Sequence, residues 1–380
     1  MKFSNLLNRG CHLSALILFL SSCSCSEKND EFFYSEFTQL DSLEIALPLE
    51  YLQITNWTTY NSNEKKILVE YGLNSEGNLL IHQIDFDKKT YLNPIYINRE
   101  GPDGFNSFGA SVFFKSEDSI YVFPSSKDSF FLYNSKGIKS NEYKYNSLNN
   151  DRYYKNSYYS STAIFDQLLM MTTVDDTRYD DPEFLKKVSP VQLYDLRSSS
   201  FIDRLNFPDF VKGKYMPSNI SGATISQIDK DNILINYSFS DSIYIYNVKD
   251  KLMMSLYCGS TSFGSPRLLD YVPNRYQSLE YISKEVDYES AFFHREKIFR
   301  VVSHLLDSKY YSYSPLEIVQ NEFRVVSLVE MNLDTKKLKY FKMPTAKYFV
   351  FQGNHLFVGG VSVREENGEI YRKFYKYSLD

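Results

Sequence analysis

The chain has 380 residues, a formal net charge of −5 at pH 7, 33 Tyr, 29 Phe and only 15 Gly. A mildly acidic chain with no basic run argues against nucleic acid as partner. The aromatic load favours strands and brings large buried areas, and all-β architectures of this length exist as one domain.

The N-terminus reads as a targeting segment. Lys2 and Arg9 form a positive n-region, and residues 13–20 are a short apolar run. That run suits a signal peptide and falls well short of the ~20 residues of a membrane helix. The stretch Leu20-Ser21-Ser22-Cys23 resembles the lipobox of bacterial lipoproteins. The resemblance implies cleavage of residues 1–22, lipidation of Cys23 and a tether over 23–40. Stable anchoring takes two or more acyl chains, and lipoproteins of this type carry three. Loss of Lys2 and Arg9 leaves 40 basic against 47 acidic residues, a net of about −7. Cys25 and Cys258 then remain as thiols, and nothing requires them to pair.

Residues 41–380 read as a repeat. "DSIYVFPSSKDSFFLYNSKG" at 118 and "DNILINYSFSDSIYIYNVKD" at 231 align without a gap over 20 positions, eight of them identical. Each copy is strand, polar turn, strand, turn, and the 113-residue offset suits two units of about 56 residues. The first unit is expected at 51–57, 66–71, 79–85 and 94–97, and the second at 111–115, 119–123, 129–134 and 141–145. The third falls at 162–165, 168–174, 191–196 and 203–207, and the fourth at 224–228, 232–237, 242–248 and 252–257. The fifth falls at 291–294, 297–304, 325–333 and 338–343. The sixth has only three strands, at 347–351, 355–361 and 373–379. The lone alternating segment "DSLEIALP", 41–48, supplies the missing one and closes a ring. Radial repetition of four-stranded units is a β-propeller, and closure by a terminal strand removes an exposed edge. A seventh blade would have to lie in 259–290, where "SLEYISKEV" has helical rather than alternating spacing.

Arg99 to Gly137 resembles an NHL-type propeller repeat through Gly101, Gly104, Phe108, Ile120, Tyr121, Val122 and Gly137. Over its full length the chain is similar to six-bladed propeller lipoproteins of Bacteroidota, a family defined only as a domain of unknown function. That resemblance rests on the lipobox, the "GPDGF" loop and the blade count. It implies an outer-membrane lipoprotein of the cell envelope and brings no catalytic residues. The stretch "SEKNDE" after Cys23 resembles a signal for export to the outer face.

If the strands of each blade are A to D from the centre outward, A–B and C–D connections are short. The long segments, 98–110, 146–161, 175–190, 208–222, 259–290, 305–322 and 362–372, are all B–C or D–A. In a propeller these project from one face, and loops longer than connection requires are usually functional or disordered. They carry Arg99, Tyr153, Tyr154, Tyr158, Tyr159, Arg275, Tyr276, Tyr310, Tyr311 and Tyr313. Tyr and Arg are enriched at binding hot spots, so these are the candidate binding residues, although any one tyrosine can equally serve to pack its loop. Catalytic and cofactor signatures are missing. His82, His294, His304 and His355 lack ligand spacing, and no Gly-x-Ser-x-Gly or phosphate loop occurs. "TVDDTRYDDPEF" offers Asp180 and Asp181 as weak cation ligands without an EF-hand pattern. The leading expectation is a cofactor-free binding module for a peptide, glycan or partner protein. The alternatives are a hydrolase or lyase with carboxylates at the channel mouth, and a structural subunit of an envelope complex.

Overall fold

The computed structural model describes residues 34–48, 56–62, 65–125, 128–145, 152–154, 161–175, 189–217, 222–366 and 369–380. Six antiparallel sheets repeat around a central cavity as the blades of a β-propeller. Blade two shows the plain form. Its strands are Ala110–Ser116, Ser119–Pro124, Ser129–Tyr133 and Lys139–Lys144, paired in that order. Strands B and C are buried nearly throughout, because neighbouring blades cover both of their faces. The outer strand is largely exposed, because one of its faces meets water.

Aromatic side chains fill the wedges between blades. Tyr60 stacks on Phe114 at 4.7 Å between blades one and two, and Phe130 meets Tyr194 edge-on at 5.2 Å between two and three. Phe299 lies 4.7 Å from Phe351 between five and six, and Trp57 lies 5.2 Å from Tyr348 between one and six. Each such pair contributes ~0.5–1.5 kcal/mol beyond its area burial.

The ring closes as the alternating segment implies. Gln39–Ala46 pairs antiparallel with Glu369–Ser378 as the outermost strand of blade six, with Leu43 opposite Phe374. Leu43 and Ile45 are buried, while Glu44 between them is exposed. The chain is seated on the ring before this strand begins. Phe37 stacks on Phe341 at 3.7 Å, and the Ser35 N–H donates to the Tyr340 carbonyl at 2.7 Å. Behind the closing strand, Arg372 of blade six forms a buried ion pair with Glu70 of blade one. Tyr91 also donates to Glu70, at 2.9 Å, and the Tyr348 hydroxyl donates to its other oxygen.

Three details differ from the sequence expectation. The innermost strand of blade one, Asn56–Ser62, runs past the expected end at 57, and residues 51–55 lie outside the described residues. Trp57 and Tyr60 of this strand find rings in blades six and two. The outer strand of blade one is split into Thr90–Tyr91 and Ile95–Ile97, because Pro94 lacks the N–H a ladder needs. The expected loop 362–372 is instead a hairpin extension, with His355–Glu366 paired to Glu369–Ser378 as far as Glu366 opposite Glu369.

The short-turn face compensates for scarce glycine. Asp166, Ser199, Lys251, Arg295, Glu296 and Lys336 adopt positive φ in its tight turns. Hairpin turns need that geometry to match strand twist, and each non-glycine residue there carries some strain. Among the described residues, no helix is long and apolar enough to cross a membrane.

Candidate functional site

Among the described residues, the long-loop face is most built up between blades four and five. The link between these blades holds a 3-10 turn, Thr261–Phe263, and helix α1, Arg275–Lys284. The B–C connection of blade five holds a second 3-10 turn, Ser308–Ser312, and helix α2, Pro315–Gln320. Both helices start on reciprocal capping boxes. The Asn274 side chain accepts from the Gln277 N–H at 2.9 Å while the Gln277 side chain accepts from the Asn274 N–H at 2.9 Å. Ser314 and Glu317 repeat the arrangement in α2, with Pro315 at the first helical position. These caps satisfy donors that a short surface helix would otherwise leave to water. The two helices lie in contact with each other.

Their apolar residues are divided between core and solvent. α1 buries Tyr281 and Ser283, and α2 buries Ile318. Outward, α1 presents Tyr276 at 60% exposure with Leu279 and Ile282, and α2 presents Leu316 at 64% and Val319 at 68%. Tyr271, Val272, Tyr311 and Tyr313 on the flanking segments are also exposed. Single exposed apolar residues are ordinary, whereas a contiguous set marks an interaction site.

A polar network fixes these loops from below. Arg324, at the start of strand C of blade five, donates from Nη1 to the carbonyls of Ser283 and Glu285, both at 2.9 Å. Its Nε donates to Ser303 Oγ at 3.1 Å and its Nη2 to the Ser303 carbonyl at 2.8 Å. It therefore clamps the end of α1 to strand B. Arg267 pairs with Glu285 at 2.9 Å. Asp287 sits between, and its Oδ1 makes no hydrogen bond among the described residues. Burial raises its carboxyl to about 6, against the pull of Arg324 and Arg300. Burial likewise raises Tyr311, with Glu285 adding to it.

Beneath them, His304 Nδ1–H donates to the Leu305 carbonyl at 2.8 Å, which leaves Nε2 to accept from Ser327 Oγ–H at 2.8 Å. The roles follow from the carbonyl, which can only accept. Phe263 stacks on the imidazole at 4.1 Å, and the Tyr34 hydroxyl lies 3.1 Å from Ser327 Oγ. Burial lowers His304 to about 4. Ser327 is fully buried, so this serine–histidine pair is sealed and neutral.

The expected binding residues divide as follows. Arg275 and Tyr276 open α1, and both are exposed. Tyr311 and Tyr313 are partly exposed beside α2, whereas Tyr310 packs within its loop, stacked on Phe323 at 4.0 Å. Arg99 lies at the blade one–two link, with its guanidinium 4.1 Å from the centre of the exposed Phe108 ring. Tyr153 and Tyr154 fall on a short strand, Arg152–Tyr154, which adds to the far end of strand B of blade three opposite Val174 and Thr173. Tyr158, Tyr159, Asp180, Asp181 and Cys23 lie outside the described residues. The structure thus gathers Arg275, Tyr276, Tyr311 and Tyr313 in one sector and leaves Arg99 and the 152–154 strand in others. Leu279, Ile282, Leu316, Val319 and Arg324 were missed. "PNRYQ" and "SPLE" carry capping signals that place both helices, but exposure of an apolar residue has no local signature.

The central cavity has a volume of about 240 Å³ and is lined by the innermost strands. Among its lining residues Lys66 and Lys115 are charged and none is acidic. The carboxylates expected of a hydrolase are therefore not on this wall.

No family model matches the sequence, and no curated protein matches it. The fold does match solved structures. A member of the DUF4221 family from Bacteroides vulgatus superposes with a TM-score of 0.67 at 16% identity, covering 90% of this chain and 98% of that one. A protein described as exported from Bacteroides fragilis superposes with a TM-score of 0.53 at 13% identity, covering 90% and 95%. At these identities the likeness is one of fold, and it spans nearly the whole of each chain.

Proposed function

We propose that this protein is a lipid-anchored envelope binding module whose propeller engages an apolar segment of a partner protein through α1 and α2. The observation that carries this reading is the outward set Tyr276, Leu279, Ile282, Leu316 and Val319 on two capped, clamped helices. A short helix with misplaced apolar residues would be free to fray, but Arg324 ties the end of α1 to blade five, and α1 lies against α2. Aliphatic side chains of this kind suit a protein surface better than a glycan, which needs aromatic platforms with convergent hydrogen bonds. The lipobox at Cys23 supports the anchor. The hydrolase reading has less support: Glu285 is committed to Arg267, and the Ser327–His304 pair is closed off by Phe263.

The test is photo-crosslinking in the native envelope. A photoreactive residue at Leu279 or Leu316 is expected to give a discrete adduct, and one at Lys136 on the short-turn face is expected to give none. The double substitution Leu316→Ser/Val319→Ser should abolish the Leu279 adduct with the fold intact. Equal adducts from both faces, or none from either helix, would reject the reading. Palmitate labelling that survives Cys23→Ala would reject the anchor.

A further inference from the structure

The central cavity is lined by a cation that no described residue pairs with. Lys66 lies near the start of strand B of blade one, directly opposite Asn61 of strand A, and both line the cavity. Lys65 beside it pairs with Asp87 at 2.9 Å on the outer side. Lys66 has no hydrogen-bond or ion-pair partner among the described residues, and the only influence on its ammonium is burial, which lowers its basicity. Lys115, the other charged residue on the wall, is exposed. Burial lowers the basicity of the neighbouring His294, and Lys66 adds to that effect with no structural return.

An apolar residue at position 66 would serve packing better. Residues 67 to 71 of the same strand are all buried, and replacing interior charges by apolar groups is commonly neutral or stabilising. Retaining the charge points to an external counter-charge. The wall around it is suited to one. Thr58, Thr59, Asn61, Ser226 and Gln227 line the same space, and no carboxylate does. Ser226 Oγ accepts the Phe293 N–H at 3.2 Å, which leaves its own hydrogen able to donate inward. A single half-buried ammonium with neutral donors matches a monoanion rather than a polyanion, which would call for several cations. The space of about 240 Å³ lies below the usual range for drug-sized ligands, so the occupant is small.

We propose that the central cavity is a binding site for a small organic monocarboxylate, held by Lys66 Nζ and the hydroxyl and amide donors of blades one and four. This site is independent of the α1–α2 face, so either can fail without the other.

The experiment is calorimetric titration of the purified mature protein with sodium lactate, sodium acetate and sodium glucuronate, with lactamide and sodium chloride as controls. Saturable binding of at least one carboxylate is expected, with no binding of lactamide and no equivalent effect of chloride. Lys66→Gln, which keeps length and polarity, should weaken that binding at least tenfold. Lys66→Met should melt at the same or a higher temperature than the wild type in the absence of carboxylate, and should lose the ligand-induced rise in melting temperature. Three results would each overturn the proposal: no carboxylate binding, equal binding by Lys66→Gln, or Lys66→Met melting well below the wild type.

Discussion

Two junctions of the ring are each held by a fully buried arginine, and they are held differently. Between blades six and one, Arg372 meets a carboxylate, Glu70, together with the Tyr91 hydroxyl. Between blades four and five, Arg300 meets the Asn236 side chain at 2.7 Å, the Cys258 carbonyl at 3.0 Å and the carbonyls of Tyr237 and Ser240. Its guanidinium lies 3.7 Å from the centre of the Tyr288 ring. At the first junction the two partners come from opposite ends of the chain, 302 residues apart in sequence. A charge pair specifies that register, because either partner left alone in the interior is costly. At the second, Arg300 and its acceptors come from consecutive blades, with Asn236 and Cys258 within 64 residues of it. There the arginine organises carbonyls at the root of the loop that carries α1, and the planar fork of donors matters more than the charge.

The largest expected effect tests the closure. Glu70→Gln leaves Arg372 without a counter-charge and should cost ~3–5 kcal/mol in urea unfolding. Replacing both partners with Glu70→Leu/Arg372→Met should recover most of that loss. If the double variant is as weak as the single one, the pair contributes more than register and the contrast between junctions fails.

Acid stability sharpens the four–five side. His304 is held near 4 in the folded state against about 6.5 when free, so as pH falls through that window the unfolded chain takes up a proton that the folded one refuses. Stability therefore drops between about 6.5 and 4, by up to ~3 kcal/mol. Asp287 works in the opposite direction. Its folded value near 6 stands above the ordinary 3.8, so the folded state takes up a proton first and gains stability as pH falls from about 6 to 4. The wild-type profile should be nearly flat in this range, and Asp287→Asn should expose the His304 slope. Thermal melts from pH 4 to 7 check this, and a flat profile in Asp287→Asn would show that the histidine is not buried and neutral.

A smaller loss is expected for Arg300→Met, about 2 kcal/mol, since the orphaned acceptors are carbonyls rather than a charge. Arg300→Lys should not rescue it in the same urea titration, because an ammonium cannot reach four acceptors in one plane. The smallest effect on stability belongs to the face itself. Leu316→Ser/Val319→Ser should change unfolding by less than ~0.5 kcal/mol while removing partner crosslinking.

Much of this molecule was legible in one dimension. The gapless echo of residues 118–137 at 231–250 defines the blade unit, and the strands of blades two to five lie within a few residues of where their alternation places them. The closing strand and the helical spacing in 259–290 were also readable, because each depends on a local period. The long-loop face followed from connection lengths alone. What failed locally was decided by contacts between distant residues. The inner strand of blade one runs past residue 57, where Tyr60 is held by a ring in blade two.

The candidate site divides along the same line. Arg275, Tyr276, Tyr311 and Tyr313 were found by residue type, but neither their grouping in one sector nor the packing of Tyr310 against Phe323 could be. Lys66 reads in sequence as an ordinary strand lysine next to another, and its position in the cavity depends on the blades closing around it. Local periodicity determined the strands, turns and helices, since alternation and capping act over a few residues. Which apolar side chains stay in water, and which charge lines the cavity, was decided only by the ring, since burial is a property of the neighbours that the fold brings from elsewhere in the chain.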